Sequence, residues 1–102
     1  VKTERPLHLY KNEDAVETVT DQSRLTERYT NEAVRFIRES GDRPFFLYVP
    51  YAMPHLPLAA SARTKGKSAA GFYGDVIEEL DWSVGEILRT LKEQRIDEDT
   101  LV

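Results

Sequence analysis

The chain has 102 residues, which suits one domain or part of one, with a core whose margin over conformational entropy is small. Its 40% hydrophobic and 31% charged residues and formal net charge of -4 fit a soluble globular protein and exclude disordered and fibrous classes. The acidic balance gives no long-range attraction for nucleic acid or anionic lipid, and the lack of cysteine excludes disulfides, thiolate metal ligands and a thiol nucleophile within these residues.

The N-terminus, Val1 to Arg5, is polar and leads into no apolar run of signal-peptide length, and no stretch approaches a membrane span. Leu7-His8-Leu9-Tyr10 alternates, Lys11 to Asp14 is polar, and Ala15 to Val19 follows, predicting a hairpin over about 7–19. Leu25, Tyr29, Ala33, Phe36 and Ile37 recur at three- and four-residue steps and predict an amphipathic helix over about 23–40. Asp21 or Ser23 can cap it, Glu27 can complete a capping box with a cap near Ser23, and Gly41 can take the left-handed conformation at its end.

Phe45-Phe46-Leu47-Tyr48-Val49, set between Pro44 and Pro50, is too short for a helix and predicts a central parallel strand buried on both faces. Pro50, Pro54 and Pro57, then small and cationic residues as far as Gly71, predict a long loop over about 50–72. Val76, Ile77, Leu80, Val84, Ile87, Leu88 and Leu91 trace one face of a helix over about 74–94, whose end gathers Arg89, Lys92 and Arg95. Asp97 to Thr100 turns the chain, and Leu101-Val102 reads as the start of a further strand, so an internal segment of a longer protein is expected. Helix, buried strand, loop, helix and strand start are the order of a doubly wound, mainly parallel α/β sheet. Ligands of such sheets bind beyond the carboxyl ends of strands, where the 50–72 loop carries His55.

Prolines on both sides of His55 restrict its backbone, which suits a working imidazole. On spacing alone an ordinary loop histidine is the simpler reading. Arg63, Lys65 and Lys67 lie among glycines, but a P-loop would need glycine at Ser61, so a solvated cationic loop is the simpler reading. Asp75, Glu78, Glu79 and Asp81 point in different directions on a helix and read as dipole and surface carboxylates. Of these, Asp81, beside the apolar stripe, is the one expected to need a hydrogen-bonding partner. Tyr73 and Trp82 read as helix packing, and His8 as a solvent-facing strand residue.

Three stretches, Leu25 to Ala33, Arg43 to Leu58 and Tyr73 to Gly85, resemble in order and spacing the middle of the formylglycine-dependent sulfatases, the arylsulfatases of the alkaline-phosphatase-like superfamily. The resemblance runs from about Pro6 to Val102 and implies a sulfuric ester hydrolase acting on a small-molecule or glycan sulfate ester. It implies that a formylglycine, made from the Cys or Ser of a Cys/Ser-x-Pro/Ala-x-Arg motif, attacks the sulfur near a calcium ion. No serine of this chain has that pattern, and the implied calcium ligands also fall outside these residues, so neither cofactor is expected to be held here. His55 matches the family's His-x-Pro histidine and is the one catalytic residue that transfers, as donor to the ester or sulfate oxygen; Lys65 and Lys67 do not transfer, and Tyr73, Gly74 and Asp81 match packing positions. A phosphodiesterase or phosphonate-ester hydrolase of the same superfamily, and a relative that binds sulfated ligands without catalysis, are the alternatives. The family also suggests a periplasmic, secreted or lysosomal setting.

Overall fold

A computed structural model describes residues 5–102; residues 1–4 lie outside it. Strands β1 (Leu7–Lys11) and β2 (Asp14–Val19) form an antiparallel hairpin with Leu7 opposite Val19 and an irregularity after Leu9. Asn12, a residue that tolerates the left-handed region, makes the turn with φ of +55°. A short 3-10 turn, Gln22–Arg24, leads into helix α1 (Leu25–Ser40). The Asp21 carboxylate caps this entry by accepting from the Ser23 N–H at 2.9 Å. The Ser23–Glu27 capping box does not form: Glu27 pairs with Arg24 at 3.1 Å instead, because the extra 3-10 turn moves the helix start past Ser23. Gly41 follows α1 with φ of +56°.

Residues 44–70 contain neither helix nor strand, and helix α2 runs Gly71–Glu93, starting three residues before Gly74. The parallel strand expected over 45–49 is absent among the described residues. Phe46 and Tyr48 are 87% and 75% exposed, while Phe45, Leu47 and Val49 are half-buried. Alternation of this kind is that of an extended segment covered on one face, with no neighbouring strand to supply a ladder. Leu101 and Val102 are likewise exposed and unpaired.

The two helices pack on each other. Ala33 and Ile37 of α1 and Leu91 of α2 are buried, and Phe36 meets Phe45 edge-on at 5.7 Å between ring centroids. A second cluster, Met53, Ala60 and Val76 with Leu58, Ala59 and Leu80 against it, fastens the long loop to α2. The apolar stripe of α2 is only partly buried in this chain, Val76 and Leu91 being covered. Ile77, Val84 and Leu88 are exposed, and Val84, Ile87, Leu88 and Leu91 border a groove of about 810 Å³ with Phe45 and Val49. No helix among the described residues is long and apolar enough to cross a membrane.

Candidate functional site

His55 lies on the 44–70 stretch in a tight turn, its N–H donating to the Ala52 carbonyl at 3.2 Å. The Met53–Pro54 and Leu56–Pro57 bonds on either side are cis. The imidazole is exposed, and its Nδ1 lies 2.7 Å from the Leu56 carbonyl oxygen. A carbonyl can only accept, so Nδ1 carries a proton. In the neutral ring Nε2 is then an acceptor, and only the imidazolium donates from it. Nε2 has no hydrogen bond among the described residues.

What holds this loop in place is a polar stripe on α2. Asp75, Glu79 and Ser83 follow one another at four-residue steps and are 2%, 1% and 0% exposed. Such spacing puts all three on one helix face. The loop runs along that face in the reverse direction, each residue of the stripe gripping a different part of it. Ser83 Oγ meets the Tyr51 hydroxyl at 2.6 Å. The Glu79 carboxylate accepts from the Ser61 N–H at 3.1 Å and from the Ser61 hydroxyl. The Asp75 carboxylate accepts from three successive amides, Gly66 at 2.7 Å, Lys67 at 3.2 Å and Ser68 at 2.8 Å.

A loop this long carries many backbone N–H groups that no ladder satisfies, and buried ones need partners. Successive amides converging on one point form a nest for an anion, and Gly66, with φ of +77°, gives the backbone the required bend. The amides of Gly66 and Ser68, with that of Lys67, hold the Asp75 carboxyl below the usual carboxylate range. The stretch around Lys65-Gly66-Lys67, read from the sequence as a solvated cationic loop, does form an anion nest, and its occupant is this chain's own aspartate. Gly74 makes the approach possible: a Cβ there would run into the Ser68 side chain and come within 2.9 Å of Ala70 Cβ.

Several sequence expectations are corrected here. Asp81, expected to need a partner, is exposed, whereas Asp75 and Glu79, expected at the surface, are the buried carboxylates. Tyr73 is exposed; Trp82 is half-buried beneath the Arg63 guanidinium, 4.0 Å from its ring centroid. His8 faces solvent, as expected, with its Nδ1 3.2 Å from Thr18 Oγ1 across the hairpin. Tyr51 and Ser83 carried no sequence flag; the available signal was the Asp-x-x-x-Glu-x-x-x-Ser spacing facing a long loop short of hydrogen-bond partners. Among the described residues no cluster of three or more His, Asp or Glu side chains could hold a metal ion.

The chain is similar to known proteins. The sulfatase family profile matches residues 4–102. Human steryl-sulfatase is 41% identical over 100 residues, covering 96% of this chain and 17% of the relative. The N-acetylgalactosamine-6-sulfatase of Canis lupus familiaris is 41% identical over 95 residues, covering 91% of this chain and 18% of that protein. The chain thus spans under a fifth of the length of these curated relatives. A solved structure described under the metabolism of multiple glycosaminoglycans by Bacteroides thetaiotaomicron superposes with a TM-score of 0.73 at 37% identity, covering 78% of this chain and 16% of that one.

Proposed function

The chain belongs to the sulfatase family, and on that premise we propose that it is an internal segment of the catalytic domain of an enzyme that hydrolyses sulfate monoesters, with His55 as its contribution to the active site. Its two helices and their connecting loop are then a piece of the α/β, alkaline-phosphatase-like fold. Breaking a sulfate monoester between sulfur and the ester oxygen leaves negative charge on that oxygen, and a positioned donor lowers the barrier by meeting the charge as it develops.

The observation that carries this reading is the 2.7 Å contact between His55 Nδ1 and the Leu56 carbonyl. It commits the Nδ1 proton and makes the imidazolium the only form that donates from Nε2. In that form the ring donates to the leaving oxygen and gives it the proton.

A formylglycine nucleophile and a calcium ion would supply attack on sulfur and anchoring of the sulfate group. The described residues fit neither, having no cysteine, no serine in the required pattern and no cluster of metal-ligating side chains. Both groups therefore belong to parts of the protein outside these residues, and no step is routed through them here. The substrate class is a small-molecule or glycan sulfate ester, in keeping with relatives named for steryl sulfate and N-acetylgalactosamine-6-sulfate.

The test is turnover of an aryl sulfate by the full-length protein with and without His55→Ala, read as sulfate released. The variant is expected to lose about 10²–10⁴-fold in kcat. Unchanged turnover would remove His55 from the mechanism. Cleavage of an aryl phosphate or phosphonate ester in place of the sulfate would move the enzyme to that class, and binding of a sulfated sugar without turnover would make it a binding protein.

A further inference from the structure

We infer that Ser83, through Tyr51, is a positioning residue for His55, an assignment that rests on His55 being the donor proposed above. The His55 ring makes only a local bond, to the next residue's carbonyl, and is otherwise exposed. Its placement relative to the helices therefore depends on what anchors its loop. Ser83 has no exposure to solvent and joins three parts of the chain: its Oγ lies 2.5 Å from Thr30 Oγ1 on α1 and 2.6 Å from the Tyr51 hydroxyl on the loop.

The proton positions follow from the end of the chain of hydroxyls. Thr30 Oγ1 donates to the Thr26 carbonyl at 2.7 Å, and a carbonyl only accepts. Thr30 must then accept from Ser83, and Ser83 from Tyr51. Each hydroxyl has one defined proton direction, and the Tyr51 phenol donates inward. From Tyr51 the constraint passes directly to the turn: the next residue, Ala52, accepts the His55 N–H, and Met53 is buried against Ala60 and Val76. The far side of the same loop is held one helical turn earlier on α2, by Glu79 on Ser61. His55 is thus suspended between two residues of one helix face.

Removing the Ser83 hydroxyl leaves Thr30 its bond to Thr26, so the helix pair keeps its packing while the loop loses its inner tether. A small displacement of a catalytic group is expensive in rate. In the full-length protein, Ser83→Ala is expected to lower kcat on an aryl sulfate by about 10–100-fold with little change in KM. Tyr51→Phe removes the same tether from a half-buried position, so it gives the same test if the buried substitution prevents folding. The double variant should lose no more than either single one, because both remove one interaction. Neither should lower kcat further in a His55→Ala background, and in both the amides of residues 52–58 should exchange faster with deuterium.

Undiminished kcat in both variants, an equal further loss in the His55→Ala background, or unaltered exchange over residues 52–58 overturns the inference. If His55→Ala itself keeps full turnover, the donor reading falls and this inference falls with it. If His55→Ala loses turnover while both tether variants keep theirs, only the inference falls.

Discussion

Asp75 can lie under a loop as a carboxylate because three amides replace the water it gives up, and hydrogen bonds to a charged acceptor are the strong kind. Its carboxyl is held low in the folded chain, first by the Gly66 amide, so folding favours the ionised form. A depressed acid contributes stability that is fully present above its unfolded pKa and is lost as pH falls through the folded one. The expected result is an acid limb of Tm below the usual carboxylate range. Asp75→Asn should lower Tm at neutral pH and make that limb shallower, which thermal melts of wild type and variant from about pH 7 to about pH 2 would read. Parallel limbs would mean that Asp75 contributes no proton linkage. The sequence could not distinguish this aspartate from Asp81: acidic residues on a helix are ordinarily solvated, and the groups that bind Asp75 are backbone amides, which every loop residue carries. His55 could be proposed from the sequence only because it matches the family's His-x-Pro segment, while the side chains that hold its loop are a phenol, a serine and a glutamate whose roles depend on how the loop runs.

Helix α2 ends where its geometry, rather than its composition, requires. Arg95 takes φ of +58°, its N–H donating to the Lys92 carbonyl at 3.0 Å while that of Ile96 reaches back to Leu91 at 3.1 Å. That pair of bonds is a Schellman ending, whose left-handed position normally belongs to glycine. A side chain there costs about 1–2 kcal/mol, and glycine's greater freedom in the unfolded chain returns part of it. Arg95→Gly should therefore stabilise by about 0.5–1 kcal/mol, read as a raised urea midpoint at unchanged m. A lowered midpoint would show that the arginine side chain contributes more than the strain it causes. Both helices were legible because their apolar positions recur at helical spacing. Part of the apolar stripe of α2, however, borders the groove, and besides the Val76 and Leu80 packing the loop is fixed by the polar stripe Asp75, Glu79 and Ser83, which a hydrophobic pattern cannot report. Helix entry was legible to within one cap: Asp21 does accept from Ser23, but the added 3-10 turn takes Ser23 out of the position a capping box needs.

At the scale of the molecule, a strand-like composition is a statement about burial, and burial needs neighbours. Phe45 to Val49 has the residues of a central strand and none of its partners among the described residues, so it lies extended with Phe46 and Tyr48 in solvent. On one side of this segment the groove bounded by Phe45, Val84, Leu88 and Leu91 continues to Leu101 and Val102, leaving an apolar surface on a body only 19 Å thick in its shortest direction. Contiguous apolar surface of this kind is rare on free monomers and promotes association. If these residues are a segment of a larger catalytic domain, the chain expressed alone should bind a hydrophobic dye and self-associate, while the full-length protein does neither. Leu88→Lys separates the two situations. In the isolated chain the lysine sits at the groove edge, where it should reduce dye binding and association with little effect on stability. In the full-length protein it would be an unpaired charge against packed strands and should cost on the order of 3–5 kcal/mol. Equal tolerance in both, measured by denaturant unfolding, would mean that the groove stays open to water in the larger protein and that the aromatic segment beside it is no central strand.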